Sequence, residues 1–375
     1  MTQIIGDQVG LVRCFNTAEQ HLEYTLYEPS LENAVVGVLA FKNEEGTDCF
    51  LSMSAGGLFS VQDYASNSIL SFSVAMPEGM PFVAFVTLGN PSESVNCTYV
   101  AATKQHIVVF DINGDVISTI DVGLPRITSM CRIGTEEVLV CGQGLAVRRI
   151  NCKTGEIVKV YKPIQKDCYG VKRHNLLHTI TAITDDLFIV SHMRGYIWIY
   201  NKNDDRPFSS FALSHKRDST FACFLRMIGE KLFIGTVEGN LRRWNINWDT
   251  LPELDSEYSQ VERYVERGYR TIAGAIVDVQ VSDKKVYALS LDRHLYVYGY
   301  DDKMPAYKNY VVGRPTSMAC FDTAYFHREE EEKEDMQNEV QKKKQKTEEL
   351  ELLNEEDEAE LAFYEQLMGQ MANKQ

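Results

Sequence analysis

The sequence predicts an all-β fold, a ring of seven similar four-stranded sheets, followed by an acidic helical tail. The prediction depends on a motif that recurs seven times and on a change of composition after Phe326. In "GTVEGNLRRWN", residues 235–245, two strand-like segments flank a turn that contains glycine. Six of the seven copies end in a large hydrophobic residue followed by Asn, Asp or Gly. The copies end at Asn16, Asp63, Asp111, Asn151, Asn201, Asn245 and Gly299.

The spacing of the motif gives the size of the repeating unit. Successive copies end 40 to 54 residues apart, and a four-stranded antiparallel sheet with its turns needs about 40–50 residues. An apolar segment precedes the copies, as in "KLFIGTV", and another lies further upstream, as in "FACFLRM". These segments show little strict alternation, which indicates sheets that are covered on both faces. Each repeat is therefore predicted to form one blade of a seven-bladed β-propeller.

The two ends of this region predict how the ring closes. The first copy begins at Thr2, which leaves too few residues before it for an inner strand. The last strand-like segment, "TSMACFDTAYF" at 316–326, has no hairpin after it. Pairing of the two would complete a seventh blade and remove two open sheet edges. We therefore expect a propeller domain at 1–327, closed by its N- and C-terminal strands.

Residues 1–327 resemble the WD-repeat β-propellers. Trp244-Asn245 and Phe110-Asp111 are the pairs nearest to the signature dipeptide of that family, and Asp292 matches the Asp of its second turn. The resemblance implies a seven-bladed propeller, and it assigns no subfamily.

Composition narrows the classes of function. The 375 residues carry a net charge of −15, which argues against nucleic-acid binding through bulk charge. No apolar run approaches the ~20 residues that cross a bilayer, so no membrane insertion is expected. The nine cysteines form no CxxC pair and are expected to be buried free thiols in a reducing compartment. With no secretory signal at the N-terminus, we expect the cytoplasm, with the nucleus as the alternative.

Charge is predicted to differ between the two rims of the propeller. The turns within the recurring hairpins and the loops that leave each outer strand should share one rim, named here the cationic rim, where cations outnumber carboxylates. The opposite, acidic rim carries loops such as "KNEEGTD" and "NKNDD". The predicted partner-binding residues of the cationic rim are Lys104, His106, Arg126, Lys172, Arg173, Arg194, Lys216, Arg217, Arg293 and Arg314. Lys162, Lys166, Arg267 and Arg270 belong to the same group.

Histidines are concentrated on the same predicted rim. The six are His106, His174, His178, His192, His215 and His294. His174 and His178 stand at helical i, i+4 spacing near Cys168, a spacing found in zinc sites, but Asn175 replaces the glutamate that metalloprotease chemistry needs. We therefore expect no metal, no cofactor and no catalytic residues.

The segment 328–375 is predicted to be a charged, largely helical tail. It is rich in Glu, Lys, Gln and Leu and has no Gly or Pro up to Met368. Its end carries apolar residues at three- and four-residue steps, a stripe that would be buried in a partner groove, in a coiled coil or on the propeller itself. Too few heptads for a long coiled coil favour a docking helix. The stripe contains Leu350, Leu353, Leu361, Tyr364, Leu367, Met368 and Met371. "KKKQK" at 342–346 is similar to a nuclear-import signal.

Three functions remain open at this point. The favoured one is a non-enzymatic scaffold of a multiprotein assembly that binds acidic or phosphorylated protein segments at the cationic rim and a groove or helix through the tail. A second is an RNA-associated propeller that uses the same rim, with Tyr169, Tyr196 and His106 for base stacking. A third is an enzyme with a site in the central channel, where Asp278 is the single acid expected on an inner strand.

Overall fold

The computed structural model describes residues 2–16, 21–26, 29–63, 68–89, 91, 97–144, 146–163, 176–214, 220–247, 251, 254 and 265–321. They form 28 strands in seven four-stranded antiparallel sheets. Met1–Thr323 is one compact unit, and the second unit, Ala324–Gln375, lies outside the described residues. The predicted boundary at 327 and the tail helix fall there and stay predictions.

The first four blades are given from the innermost strand outwards. Blade 1 contains β28 (Pro315–Cys320), β1 (Thr2–Asp7), β2 (Val12–Asn16) and β3 (His21–Leu26). Blade 2 contains β4 (Val35–Lys42), β5 (Asp48–Ser54), β6 (Leu58–Asp63) and β7 (Ser68–Ser73). Blade 3 contains β8 (Ala84–Leu88), β9 (Thr98–Ala102), β10 (His106–Phe110) and β11 (Val116–Asp121). Blade 4 contains β12 (Ile127–Ile133), β13 (Glu137–Gly142), β14 (Val147–Asn151) and β15 (Glu156–Tyr161).

The remaining three blades follow the same order. Blade 5 contains β16 (Leu177–Ala182), β17 (Leu187–His192), β18 (Tyr196–Asn201) and β19 (Ser209–Ala212). Blade 6 contains β20 (Ala222–Ile228), β21 (Lys231–Thr236), β22 (Leu241–Trp244) and β23 (Val265–Tyr269). Blade 7 contains β24 (Ile276–Ser282), β25 (Lys285–Ser290), β26 (His294–Gly299) and β27 (Tyr307–Tyr310). Two short 3-10 segments, Leu31–Asn33 and Pro77–Gly79, precede β4 and β8.

The seven innermost strands form a ring. Each of them contacts the innermost strands of the blades before and after it, and β28 contacts both β24 and β4. The chain is a seven-bladed β-propeller, as the spacing of the motif predicts. In blade 1, β28 pairs antiparallel with β1, with Ile4 opposite Ala319 and Ile5 opposite Met318.

The apolar core lies between the faces of neighbouring blades. Val100 and Val109 of blade 3 pack with Val138 and Ile150 of blade 4, for example. In blade 5 the two middle strands, β17 and β18, are buried on both faces, whereas the outer strand β15 of blade 4 is largely exposed. Burial on both faces explains why the middle strands are continuous apolar runs instead of alternating ones.

In blades 3, 4 and 5 the Asn or Asp that ends the motif closes the turn to the outer strand. Asn151 Oδ1 accepts the amide N–H groups of Lys153 and Thr154, both at 2.9 Å. Asp111 Oδ1 accepts those of Asn113 and Asp115 at the same distance. A short side chain that accepts hydrogen bonds from the backbone two or more residues later favours such a turn. This local bond is the physical cause of the recurring sequence signal.

Candidate functional site

The strand order decides which loops share a rim. Because neighbouring strands of a blade are antiparallel, the turn after the second strand and the loop after the outer strand lie at the same end of the blade. Most of the predicted rim residues that the structure describes fall in these turns and loops or directly beside them, but Arg267 lies within β23 and His178 within β16. Lys172, Arg173, Lys216 and Arg217 lie outside the described residues, as do the predicted tail residues.

Four of the exposed cations of this rim lie in a hairpin turn or directly before an innermost strand. Lys104 lies in the turn between β9 and β10, Arg126 lies directly before β12, Arg293 lies in the turn between β25 and β26, and Arg314 lies directly before β28. None of the four forms an ion pair with a residue that the structure describes. Their charges therefore face solvent and contribute to the field outside the rim.

His106 and Arg194 are less accessible than these four. His106 is the first residue of β10, and Arg194 lies in the turn between β17 and β18; both are partly exposed. The amide N–H of Arg194 donates to Nδ1 of His192 at 3.1 Å. Both residues lie on the predicted rim, but they offer a partner less side-chain surface than the four exposed cations do.

Two aspartates near Arg293 and Arg314 are engaged by their own turns. Asp7 is fully buried; it pairs with Arg13 and accepts the amide N–H groups of Val9 at 3.0 Å and Leu11 at 2.9 Å. Because these groups satisfy its carboxylate, Asp7 leaves the exposed arginines unneutralised.

Asp292 is held in the same way by the turn of blade 7. Its carboxylate accepts the hydroxyl of Tyr296 at 2.5 Å and the amide N–H of His294 at 3.2 Å. Burial and the bond to Asp292 raise the pKa of Tyr296 to about 12, so this hydroxyl remains a donor. The other exposed carboxylates on the described rim are Glu32, Glu78, Asp121 at the end of β11, and Glu238.

The opposite rim is acidic. Some of its carboxylates form exposed ion pairs, such as Glu136 with Lys153 at 3.3 Å. Its exposed acidic residues are Glu44, Glu45, Asp115, Glu136, Asp185, Asp186, Asp204, Asp205, Glu230, Asp283, Asp301 and Asp302. The described residues thus place most exposed carboxylates on one rim and unpaired cations on the other.

The separation of the two rims breaks down at the outer edge. Lys162 follows β15 and was assigned to the cationic rim, but its Nζ lies 3.4 Å from Asp205, in the loop between β18 and β19. The amide N–H of Lys162 also donates to the carbonyl of Asp205 at 2.7 Å. Hydrogen bonds from Lys159 and Lys162 lower the pKa of Asp205. Lys162 therefore shares the Asp205 carboxylate with Lys159 and contributes less to the charge of the cationic rim.

Two predicted rim histidines lie elsewhere. His192 ends β17, is completely buried and packs its ring 5.2 Å from Trp198. His178 lies inside β16, so it cannot take part in the helical spacing that the sequence suggested with His174. Its ring packs 4.9 Å from Phe221. Sequence order alone misplaced both, because each stands next to a loop but faces the interior.

The central channel is lined by the inner strands of all seven blades and encloses a cavity of about 510 Å³. Asp278 lies in its wall and is 5% exposed. Its carboxylate pairs with Arg226 at 2.8 Å and accepts the amide N–H groups of Val279 at 2.8 Å and Met318 at 2.9 Å. Burial raises the pKa of Asp278, and Arg226 and the two amides oppose that rise. The carboxylate of Asp278 is thus bound by Arg226, Val279 and Met318 of the propeller itself.

Sequence reasoning missed two of the residues that order these surfaces. Asp7 was not recognised as a turn aspartate like Asp292, although "DQVG" at 7–10 carries the signal of an acid followed by glycine. Arg226 was not recognised as the partner of Asp278, because 52 residues separate them and no local pattern links them.

None of the eight described cysteines is in a disulfide; six are buried and two partly buried, as the sequence predicted. Burial raises the pKa of Cys152 and Cys223 to about 12. No cluster of His, Cys, Asp and Glu within the described ranges could hold a metal ion. Within those ranges there is also no helix long and apolar enough to span a membrane.

No protein-family model matches the sequence. No curated protein is significantly similar to it.

Proposed function

We propose that the protein is a non-enzymatic interaction scaffold whose cationic rim binds acidic or phosphorylated segments of other proteins. The observation that carries the proposal is a set of four exposed cations, Lys104, Arg126, Arg293 and Arg314, that form no ion pair with any residue that the structure describes. Loops held by a rigid scaffold are where binding residues concentrate. An asymmetric field of this kind steers an anionic partner to the rim and orients it.

The test compares the full-length chain with a variant that reverses three rim charges, Lys104→Glu, Arg126→Glu and Arg314→Glu. Binding of a fluorescent poly-glutamate peptide is measured by anisotropy between ~50 mM and ~500 mM salt. Because the contact is electrostatic, the wild type should lose affinity as salt rises, and the variant should bind at least ~10-fold more weakly at low salt.

The matched control reverses three exposed cations of the acidic rim, Lys153→Glu, Lys284→Glu and Lys303→Glu. It makes the same change in net charge and should keep wild-type affinity. Equal losses in the two triple variants would mean that bulk charge and not the rim decides binding. Affinity of the wild type that does not change with salt would refute the electrostatic proposal.

RNA binding is the weaker alternative. Tyr196, expected to stack on bases, is buried at 7% exposure, and Tyr169 lies outside the described residues. Filter binding of a single-stranded RNA at physiological salt separates the two proposals. The enzyme alternative is weaker still, since Asp278, its candidate acid, is bonded to Arg226 and two amides.

Four further proposals concern the propeller type, the closure of the ring, the tail and the compartment. We infer that the propeller belongs to the WD-repeat type, with the Asp292 turn as support, and that pairing of β1 with β28 closes the ring in solution. The segment 328–375 is proposed as a second interaction element that docks through its apolar stripe. The proposed compartment is the cytoplasm, with the nucleus as the alternative.

A further inference from the structure

The rim of blade 7 combines exposed apolar side chains with two of the unpaired arginines. Leu291 and Arg293 lie in the turn between β25 and β26, Tyr310 ends β27, and Val312 and Arg314 lie in the loop to β28. The exposed fractions are 40% for Leu291, 55% for Tyr310 and 57% for Val312. We name these five residues the blade 7 patch.

Hydrogen bonds hold the patch in place. Arg293 Nη1 donates to the hydroxyl of Tyr310 at 3.3 Å, and the Arg293 carbonyl accepts the amide N–H of Val311 at 2.7 Å. The carbonyl of Arg314 accepts the amide N–H of Gln8 at 2.8 Å. Because main-chain hydrogen bonds already fix both loops, little conformational entropy of these loops would be lost when a partner binds.

The backbone of the patch is strained at Arg293. Its φ is +66°, in the left-handed region that residues other than glycine rarely adopt. Such a conformation is unfavourable for a residue with a side chain and persists where the surroundings fix it. At Gly313 a Cβ would lie 2.5 Å from Oδ2 of Asp7, so the loop that carries Val312 and Arg314 requires glycine.

The carboxylates of Asp7 and Asp292 form no ion pair with Arg293 or Arg314. Asp7 is occupied by Arg13 and two amides, and Asp292 by Tyr296 and His294. Arg293 and Arg314 hydrogen-bond neutral side chains, the hydroxyl of Tyr310 and Oε1 of Gln8 at 3.4 Å. The charge that complements the patch is therefore left for a partner to supply.

The combination is local to blade 7. Elsewhere on the cationic rim, Lys104 and Arg126 have no exposed large hydrophobic side chain beside them in the turns and loops that the structure describes. Arginine and tyrosine with apolar neighbours are the residues that dominate binding energy in protein interfaces. Leu291 and Val312 are aliphatic and offer no face for base stacking, which favours a protein segment over RNA.

We propose that the blade 7 patch is the anchor point of the cationic rim and binds a protein segment in which an apolar pair is flanked by carboxylates. The apolar side chains cover Val312 and Tyr310, and the carboxylates pair with Arg293 and Arg314. The inference rests on the function proposed for the rim and adds the chemistry of the segment that it selects.

The test uses two labelled hexapeptides of equal charge, EELFEE and EESSEE, with the full-length chain at ~150 mM salt. The wild type should bind EELFEE at least ~10-fold more tightly, because burial of a Leu-Phe pair is worth more than 1.4 kcal/mol. Val312→Ser should reduce that preference several-fold and leave the affinity for EESSEE unchanged. Arg314→Gln should weaken both peptides.

Met304→Ser is the matched control, since Met304 is similarly exposed but lies on the acidic rim; it should keep the preference. Equal wild-type affinity for the two peptides, with salt-dependent binding of both, would overturn the anchor and leave the rim proposal standing. Binding of neither peptide would overturn both proposals. The choice of a protein segment would also be overturned if single-stranded RNA displaced EELFEE from the wild type and the Val312→Ser variant no longer bound that RNA.

Discussion

At the scale of single residues, a buried arginine joins two blades. Arg243 is 2% exposed and stacks over the ring of Tyr300 at 3.8 Å. Its guanidinium donates to Glu266 at 3.0 Å, to Asp301 at 2.7 Å and to the carbonyl of Tyr300 at 2.6 Å. Tyr269 donates to the same carbonyl at 2.8 Å. These bonds connect β22 and β23 of blade 6 with the loop that follows β26 of blade 7.

Arg243→Met should destabilise the protein. The substitution keeps most of the packing but removes the donors, and it leaves the Tyr300 carbonyl with one partner fewer, a loss of about 1–3 kcal/mol. Glu266 and Asp301 are partly exposed, so water compensates their charges. Urea unfolding gives the free energy. Arg206→Met, at an exposed arginine, should stay within about 0.5 kcal/mol of wild type; equal effects of the two changes would contradict the proposed role of Arg243.

A pH effect is expected at His178. Burial lowers the pKa of its imidazole, and its Nδ1 finds no hydrogen-bond partner among the described residues. The folded state therefore binds fewer protons than the unfolded state, whose histidine titrates near about 6.5. The free energy of unfolding is thus highest above that pH and falls as pH drops through it.

His178→Phe should reduce this pH dependence, because phenylalanine does not titrate and can pack on Phe221. The measurement is urea unfolding of both proteins at pH 7.5, 6.5 and 5.5. We expect the variant to lose less stability than the wild type between the first and last pH. An identical loss in both proteins would show that other groups cause the acid sensitivity.

At the scale of strands and turns, the recurring Asn or Asp acts as a local device. The side chains of Asp111, Asn151 and Asn201 each accept an amide N–H two residues later, in three different blades. Such a bond needs only the residue and its own turn. The sequence could therefore reveal the turns and with them the number of blades.

Asn151→Ala should cost about 1–2 kcal/mol, because two amide N–H groups lose their acceptor. Asn151→Asp should keep most of the stability, since Asp111 makes the same bonds in blade 3. The measurement is the midpoint of urea unfolding. Asn203→Ala, an exposed position in the corresponding loop of blade 5, serves as the control. If the control lost as much as Asn151→Ala, the turn bonds would not explain the effect.

At the scale of the whole molecule, strand β28 supports the blades on both sides of it. Met318 belongs to the apolar cluster between blades 7 and 1, and Ala319 to the cluster between blades 1 and 2. The amide N–H of Met318 donates to Asp278, and its carbonyl accepts from Gln280 Nε2 at 2.9 Å. Both main-chain groups of one residue are thus held by blade 7.

Two shortened chains test the importance of this strand. A chain that ends at Gly313 lacks β28, which exposes the edge of β1 and removes Met318 and Ala319 from two apolar clusters. We therefore expect this chain to aggregate and to lose cooperative unfolding. A chain that ends at Thr323 keeps β28 and should unfold cooperatively near the wild-type temperature. Differential scanning calorimetry compares them. A sharp transition in the shorter chain would mean that the ring is stable without β28.

The fold could be predicted because its signals are local: apolar strands, a glycine turn and an Asn or Asp at each strand end, repeated at the length of one blade. The surface could be predicted only in part. Lys104, Arg126, Arg293 and Arg314 lie on the expected rim, since strand order alone decides their end of the blade. Lys162, His178 and His192 were misplaced, because pairing with Asp205 or burial depends on a neighbouring strand or blade.

By itself, then, the sequence determined the number of blades, their order and the end of the blade at which Lys104, Arg126, Arg293 and Arg314 lie. The tertiary structure decided which of these charges remain unpaired. Asp7 and Asp292 turn inward, Asp278 is bonded across the channel wall to Arg226 and Met318, and the arginines of blade 7 stay exposed beside Val312. The reason is physical: a turn forms from adjacent residues, whereas an ion pair or an exposed patch depends on segments that only the closed fold brings together.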